Sequence, residues 1–278
     1  MSVRIVTDSS CDLPEDVIES LGIVVVPLSI RFGDDEFVDR EQLSVADFWR
    51  MCGEREELPS TAAPAPGRFE QAYRSLLADG ADGIVSIHLS GELSATLQSA
   101  RTAATAIGDE ARIEVLDSRS ITVGLGLTVA TLAERAQGGA SIDELVDQAN
   151  SLVGRTRVLG ALDTLEYLKK GGRIGAAQAV LGSLLSIKPL IAIEDGKVEA
   201  AGKQRTRSRA TKFVLDAVAA EPAIERVAVM HADCDDIDEF VAKVREFHDG
   251  EILVGEIGPV IGAHAGPGTI GVIYHVPA

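Results

Sequence analysis

The sequence is poor in aromatic residues and in cysteine, and both shortages exclude classes of protein. Aromatic residues make up 4% of the 278 residues, with one Trp, which argues against a stacking platform for single-stranded nucleic acid. The three cysteines, Cys11, Cys52 and Cys234, are far apart and form no CxxC pair. Neither a zinc site nor a disulfide framework is therefore expected. No motif for a metal or a nicotinamide cofactor is present, so no cofactor is expected either.

Long apolar runs and an excess of positive charge are also missing. No stretch approaches the ~20 apolar residues that a membrane-spanning helix needs. The first residues, MSVRIVTDSS, enter a strand pattern without a signal segment, so we expect the protein in the cytoplasm. The formal net charge of -17 would repel both a phosphate backbone and an anionic membrane. We therefore expect no nucleic-acid partner and no stable membrane insertion.

Aliphatic residues are abundant, and their pattern predicts an α/β fold in two domains. In the first half, strands at 83–88 and 112–116 alternate with helices at 94–107 and 120–137. This alternation predicts a parallel sheet with helices on both faces, in a domain spanning 1–153. The second half, 154–278, carries more closely spaced strands and a hairpin turn at Glu194-Asp195-Gly196, which predict a mixed sheet. We expect a ligand to bind between the two domains.

Three local predictions concern the segments around possible sites. Asp12 is expected to cap a helix that has Pro14 in its first turn. The β-branched run 23–30 predicts one continuous strand. The glycine- and proline-rich segment 257–268 predicts an irregular loop that holds His264 close to a partner or ligand.

Two further segments offer hydroxyl groups for binding. Thr61 lies between prolines in the segment 59–64, which would present its side chain rigidly. Ser94 stands where a helix begins, so its hydroxyl and the nearby backbone N–H groups are suited to bind an anion. Each has a simpler interpretation: the first is a connecting loop, and the second is an ordinary N-cap serine.

A dense basic cluster interrupts the acidic sequence at residues 203–212. It contains Lys203, Arg205, Arg207, Arg209 and Lys212. Cations at the start of a helix are electrostatically unfavourable, which favours a role in attracting a phosphate or an acidic protein surface. A solvated start of a helix is the alternative.

Seven segments, taken together and in this order, resemble the DegV family. They run from residue 7 to residue 268 and read TDSSCDLP, PSTAAP, SGELSATLQSA, DTLEYLKKGGRI, LLSIKPL, KQRTRSRA and IGPVIGAHAGPG. The resemblance implies two α/β domains with a ligand between them. It further implies a non-catalytic protein that binds a long-chain fatty acid and presents its carboxylate to a separate ATP-dependent fatty acid kinase, which forms an acyl-phosphate.

The resemblance also implies the residues of the site. Thr61, Ser94 and His264 would hold the carboxylate, with Ala95 beside them; Lys203, Arg205 and Arg207 would dock the kinase, and Arg173 would extend that docking face. Neutral donors at the head group would leave the carboxylate without a full countercharge. The segments 159–165 and 179–185 would serve as walls of an apolar tunnel. This sequence has Ala62, Ala63 and Ala95 where many members carry more polar residues or glycine.

Two other functions stay open at this point. One is an acyl hydrolase or transferase with Ser94 as nucleophile, His264 as base and Asp8 or Asp117 as the acid, although no G-x-S-x-G elbow is present. The other is a carrier of a different small carboxylate or phosphate.

Overall fold

The computed structural model describes residues 2–180 and 187–278. In chain order its strands are β1 Val3–Asp8, β2 Val24–Val26, β3 Ser29–Phe32, β4 Asp35–Val38, β5 Ser60–Ala62, β6 Gly83–His88, β7 Arg112–Asp117, β8 Thr156–Ala161, β9 Lys188–Glu194, β10 Lys197–Gln204, β11 Val227–His231, β12 Ile252–Glu256 and β13 Ile270–His275. The α-helices are α1 Glu15–Leu21, α2 Val45–Glu54, α3 Pro66–Ala78, α4 Thr96–Ile107, α5 Thr122–Gln137, α6 Ile142–Arg155, α7 Glu166–Lys170, α8 Arg207–Ala219, α9 Ile237–Val244 and α10 Pro259–Ala265. Short 3₁₀ helices span Ser9–Cys11, Gly108–Glu110 and Gly175–Val180.

The first half folds around a four-stranded parallel sheet, as the sequence predicts. Its strands lie in the order β2-β1-β6-β7, and all pairs are parallel. Helices α3 and α4 pack on one face, and α5 and α6 cover the other. Every residue of β6 is buried, which is typical of a central parallel strand with helices on both faces.

The second half contains a six-stranded mixed sheet, which confirms the predicted difference between the two halves. The order is β10-β9-β8-β13-β11-β12, with one parallel pair, β11 and β12. The turn at Asp195-Gly196 closes the predicted hairpin between β9 and β10. Helices α8 and α9 share one core with strands of this sheet.

Helix α5 lies between the two sheets and joins them. It contacts β1 and β6 on one side and β8 and β13 on the other, and its residues 122–130 are buried without interruption. The 3₁₀ helix Ser9–Cys11 packs so closely against α5 that a Cβ on Gly126 would collide with the carbonyl oxygen of Cys11. Residues of both sheets therefore belong to one apolar core, in which replacing a fully buried Leu by Ala costs about 2–5 kcal/mol. None of the described helices is both long and apolar enough to span a bilayer.

A small antiparallel sheet, β4-β3-β5, lies beside α10 and is not predicted by the sequence patterns. The predicted strand 23–30 is wrong, because Pro27 and Leu28 separate β2 from β3. Pro27 has no N–H to donate, and the N–H of Leu28 donates to Ser9 Oγ instead of to a strand.

Two other local predictions need correction. Asp12 does not cap α1; Pro14 holds that position, and Asp12 has a left-handed backbone with φ 48°. The segment 257–268 is not a loop throughout, because Pro259–Ala265 form the helix α10. Pro259 opens this helix and Gly266, at φ 76°, ends it, which is the usual arrangement of these residue types.

Candidate functional site

A narrow apolar cavity lies where both halves of the chain meet. Its volume is about 60 Å³. The aliphatic side chains in its wall come from the β2-β3 connection, the β6-α4 segment, the residue before α5, helix α7, the β9-β10 hairpin and α10, and are Leu28, Leu89, Leu93, Ile121, Leu168, Ile191, Val198, Val260 and Ile261. A wall of this composition suits a hydrocarbon chain, because each buried CH₂ group contributes about 0.8 kcal/mol.

Thr61, Ser94 and His264 all line this cavity, although they are far apart in the sequence. Thr61 lies on β5, opposite Ile30 of β3, and His264 lies near the end of α10. Ser94 stands in the segment that joins β6 to α4, where its N–H donates to Ser90 O at 3.1 Å. The fold thus brings the three predicted head-group residues to one place.

The imidazole of His264 is held in one orientation by two neighbours. Its Nε2 lies 2.9 Å from Thr61 Oγ1. Its Nδ1 is buried without a hydrogen-bond partner among residues 2–180 and 187–278, and it lies against Gly171, where a Cβ would collide with the ring. Because Nδ1 has no acceptor nearby, we assign the proton to Nε2, which then donates to Thr61 Oγ1. The hydroxyl proton of Thr61 remains available for a ligand.

Burial lowers the pKa of His264 to about 4, and the positive charge of Arg173 lowers it further in the same direction. The imidazole is therefore neutral around pH 7 and acts as a hydrogen-bond donor rather than as a cation. A neutral donor lets the site hold an anion without forming a tight ion pair at this residue.

Arg173 also lines the cavity, so one cation lies beside the predicted neutral donors. Its Nε donates to Leu93 O at 3.0 Å and its Nη1 donates to Gly171 O at 2.7 Å. These bonds hold a guanidinium in the cavity wall, beside the segment that carries Ser94. The resemblance extended the predicted docking face to this residue together with Lys169 and Lys170.

Outside the cavity, an open cleft of about 750 Å³ leads to solvent. Cavity and cleft share the residues Leu93, Ser94, Arg173 and Val198. Ala95 lines only the cleft; it is exposed and precedes the first residue of α4. Arg101 and Lys197 add positive charge to the cleft wall. The polar end of the site is thus the end closest to solvent.

The three predicted docking residues lie in two different environments. Lys203 and Arg205 are exposed, and within residues 2–180 and 187–278 neither forms a salt bridge. Arg207 instead forms a two-point ion pair with Asp236, at 2.9 Å for both bonds, and also donates to the carbonyl of Gly268. Its charge is balanced inside the fold.

Of the two predicted tunnel walls, the segment 159–165 meets the cavity only indirectly. Leu162 and Leu165 pack against the lining residues Leu93, Ile121 and Ile191 without reaching the cavity themselves. The other predicted wall is the segment 179–185, and its residues 181–185 are not among those that the structure describes.

The hydrolase alternative requires a relay from an acid through His264 to Ser94, and the observed contacts go elsewhere. Ser94 Oγ hydrogen-bonds Thr96 Oγ1 at 2.9 Å, and His264 Nε2 contacts Thr61. Asp8 binds His88, while Asp117 accepts the N–H groups of Gly91 and Arg119. Neither carboxylate orients the imidazole of His264.

Comparisons with known proteins identify the family of the chain. A family model described as an uncharacterised protein of the DegV family matches residues 2–276, so the chain belongs to the DegV family. A DegV domain-containing protein of Streptomyces coelicolor is 39% identical over 98% of this chain and 97% of its own length.

Solved structures extend the similarity to the whole fold. A fatty acid-binding DegV family protein from Thermus thermophilus shares 35% identity and a TM-score of 0.89, with 100% of both chains covered. DegV of Bacillus subtilis, described as a fatty acid-binding protein, shares 28% identity and a TM-score of 0.89, again over 100% of both chains.

Proposed function

We propose that the protein binds a long-chain fatty acid, with the hydrocarbon chain in the apolar cavity and the carboxylate beside Thr61, Ser94 and His264. The observation that carries this proposal is the convergence of these three residues on one aliphatic cavity. Fatty acid binding by the solved relatives from Thermus thermophilus and Bacillus subtilis supports it.

The chemistry of the site fits a carboxylate at its solvent end. A buried carboxylate without partners is very costly, so donors must replace its water. The hydroxyl groups of Thr61 and Ser94 supply two donors, and Arg173 supplies positive charge from the cavity wall. The imidazole of His264 supports Thr61 by donating to its oxygen. The cavity has a volume of about 60 Å³, so a long hydrocarbon chain fits only when the cavity walls move apart.

The open cleft suggests what happens to the bound carboxylate. We propose that a separate ATP-dependent kinase enters this cleft and phosphorylates the carboxylate, and that the protein itself is a non-catalytic carrier in the cytoplasm. Lys203 and Arg205 are suited to attract an acidic partner, because they are exposed and belong to the strand and turn that follow the cleft residue Lys197. Arg207 would support this surface through its ion pair with Asp236.

A titration tests the binding proposal directly. Delipidated protein is titrated with palmitic acid by calorimetry, and we expect one site that saturates at one ligand per chain. The matched variant Ser94→Ala should bind more weakly, whereas Ser99→Ala, in the same region of the chain but outside the cavity, should bind like the wild type. Equal affinity of the Ser94→Ala variant would contradict the head-group assignment.

The same proteins separate the carrier from the hydrolase. Incubation with an activated ester such as 4-nitrophenyl palmitate should give no steady release of nitrophenol from the wild type above the rate of the Ser94→Ala variant. Steady turnover that depends on Ser94 would establish an acyl hydrolase and overturn the carrier proposal.

A further inference from the structure

The segment from Asp8 to Asp12 does not line the cavity, yet it contacts all three parts of the fold that carry the head-group residues. Each residue of this segment is buried, with exposed fractions between 0% and 8%. Its contacts reach the segment before Ser94, the sheet of Thr61 and the helix of His264.

Asp8 fixes the start of the segment that carries Ser94. Its Oδ2 accepts the N–H of Leu89 and the Nδ1–H of His88, both at 3.0 Å. His88 is held on its other side by Ser86, at 2.7 Å, and Ser86 accepts from Tyr73 Oη at 2.8 Å. Leu89 is itself a cavity residue, so the carboxylate of Asp8 sets where the chain leaves β6 for Ser94.

Ser9 makes the corresponding contact with the small sheet. Its Oγ accepts the N–H of Leu28 at 3.1 Å. Leu28 lines the cavity and immediately precedes β3, whose Ile30 is paired with Thr61 on β5. The hydroxyl of Ser9 therefore fixes the position at which the Thr61 sheet begins.

Asp12 contacts the beginning of the His264 helix. Its Oδ1 lies against Gly258, the residue that caps α10, where an added Cβ would collide with it. Asp12 Oδ2 also accepts the Thr122 hydroxyl at 2.6 Å, next to the cavity residue Ile121. This carboxylate therefore fixes α10 relative to α5.

Hydrogen bonds within the segment 8–12 hold its own turn in place, so these contacts all start from one ordered piece of backbone. Asp8 Oδ1 accepts both the N–H and the hydroxyl of Ser10, at 3.1 and 2.5 Å, which closes the turn locally. We propose that Asp8, Ser9 and Asp12 are positioning residues that set the mutual placement of Thr61, Ser94 and His264 for a carboxylate. This inference rests on the proposed fatty acid function and adds residues to it.

The test compares two ligands of equal chain length that differ at the head group. Dissociation constants of palmitic acid and of hexadecanol are measured for the delipidated wild type and for the variants Ser9→Ala, Asp12→Ala and Asp12→Asn. The control is Thr128→Ala, which removes a buried hydroxyl that bonds Gly124 O within α5, away from the cavity. Thermal unfolding of each variant is recorded beside the affinities.

Misplaced donors should weaken the binding of the carboxylate and leave the contacts of the hydrocarbon chain in place. We expect Ser9→Ala and Asp12→Ala to lower the preference for acid over alcohol by roughly tenfold. Asp12→Asn, which keeps an oxygen acceptor, should stay close to the wild type, and so should Thr128→Ala.

Three results would overturn the inference. An unchanged preference in folded Ser9→Ala and Asp12→Ala, or an equal loss for both ligands, would show a purely structural role. If one alanine variant does not fold, the preference measured in the other decides. A wild type that binds neither ligand would overturn the proposed function, and with it the inference. A wild type that binds palmitic acid, with an unchanged preference in the variants, would overturn the inference alone.

Discussion

Thr61 Oγ1 lies 2.9 Å from His264 Nε2, although 203 residues separate them in the sequence. This contact joins β5 to α10 across the candidate site. With the proton assigned to Nε2, the imidazole donates to the hydroxyl oxygen, and the hydroxyl proton is free to bond a ligand in the cavity. The pair therefore acts as one donor unit, and its two members should affect ligand binding together.

Replacing Thr61 by Val keeps the shape of the side chain and removes its hydroxyl. We expect roughly tenfold weaker binding of palmitic acid, because a hydrogen bond to a charged group is lost. Calorimetric titration checks this. Thr102→Val, on the exposed face of α4, serves as the matched control. Wild-type affinity in Thr61→Val would show that the hydroxyl does not contact the carboxylate.

The burial of His264 gives stability a specific dependence on pH. Its folded pKa, about 4, lies below the ordinary value of 6.5, so its contribution is fully present above pH 6.5 and is lost as the pH falls through 4. Relative to His264→Asn, the wild type should lose about 2 kcal/mol of unfolding free energy between pH 7 and pH 4.5. Urea unfolding at both pH values measures it. Parallel pH profiles of the two proteins would contradict the buried neutral imidazole.

Asp12 gives the opposite dependence. Burial raises its pKa to about 7, while the hydrogen bond from Thr122 and the charge of Arg40 oppose the rise and Asp39 adds to it. The raised pKa of Asp12 contributes stability that is fully present below pH 3.8, the ordinary pKa of the group. This contribution is lost as the pH rises through 7.

Asp12→Asn should therefore gain stability relative to the wild type, by roughly 2 kcal/mol, when the pH rises from 5 to 8. Chemical denaturation of both proteins at the two pH values measures the change. A difference that stays constant with pH would mean that Asp12 titrates normally.

Arg205→Ala tests the proposed docking surface. Binding of palmitic acid should be unchanged, since Arg205 does not line the cavity. Phosphorylation of the bound acid by the proposed kinase partner should slow severalfold, and the effect should shrink at high salt because surface charges mainly accelerate encounter. Arg245→Ala, an exposed arginine outside the basic cluster, is the control. Equal rates for the wild type and Arg205→Ala would remove this surface from the proposal.

The sequence predicts the regular parts of the fold because they follow strong periodic patterns. The buried strand β6 and the helices α4 and α5 lie within two residues of their predicted bounds. Short elements with mixed signals were harder to predict. The helix α10 was expected as a loop because glycine dominates its segment, although Pro259 and Gly266 mark its start and end.

Tertiary contacts explain what the sequence could not show. Arg173 follows two glycines and two lysines, and no local pattern indicates that its guanidinium bonds back to Leu93 O in the cavity wall. Asp8, Ser9 and Asp12 have their partners, His88, Leu28 and Thr122, in three different parts of the chain. Such contacts arise only when distant parts of the chain pack together.

The most direct measurement is mass spectrometry of an organic extract from the purified, denatured protein. We predict one long-chain fatty acid per chain in the wild-type extract and clearly less in the extract of Thr61→Val. An extract without fatty acid, repeated after the protein has been incubated with palmitic acid, would contradict fatty acid binding.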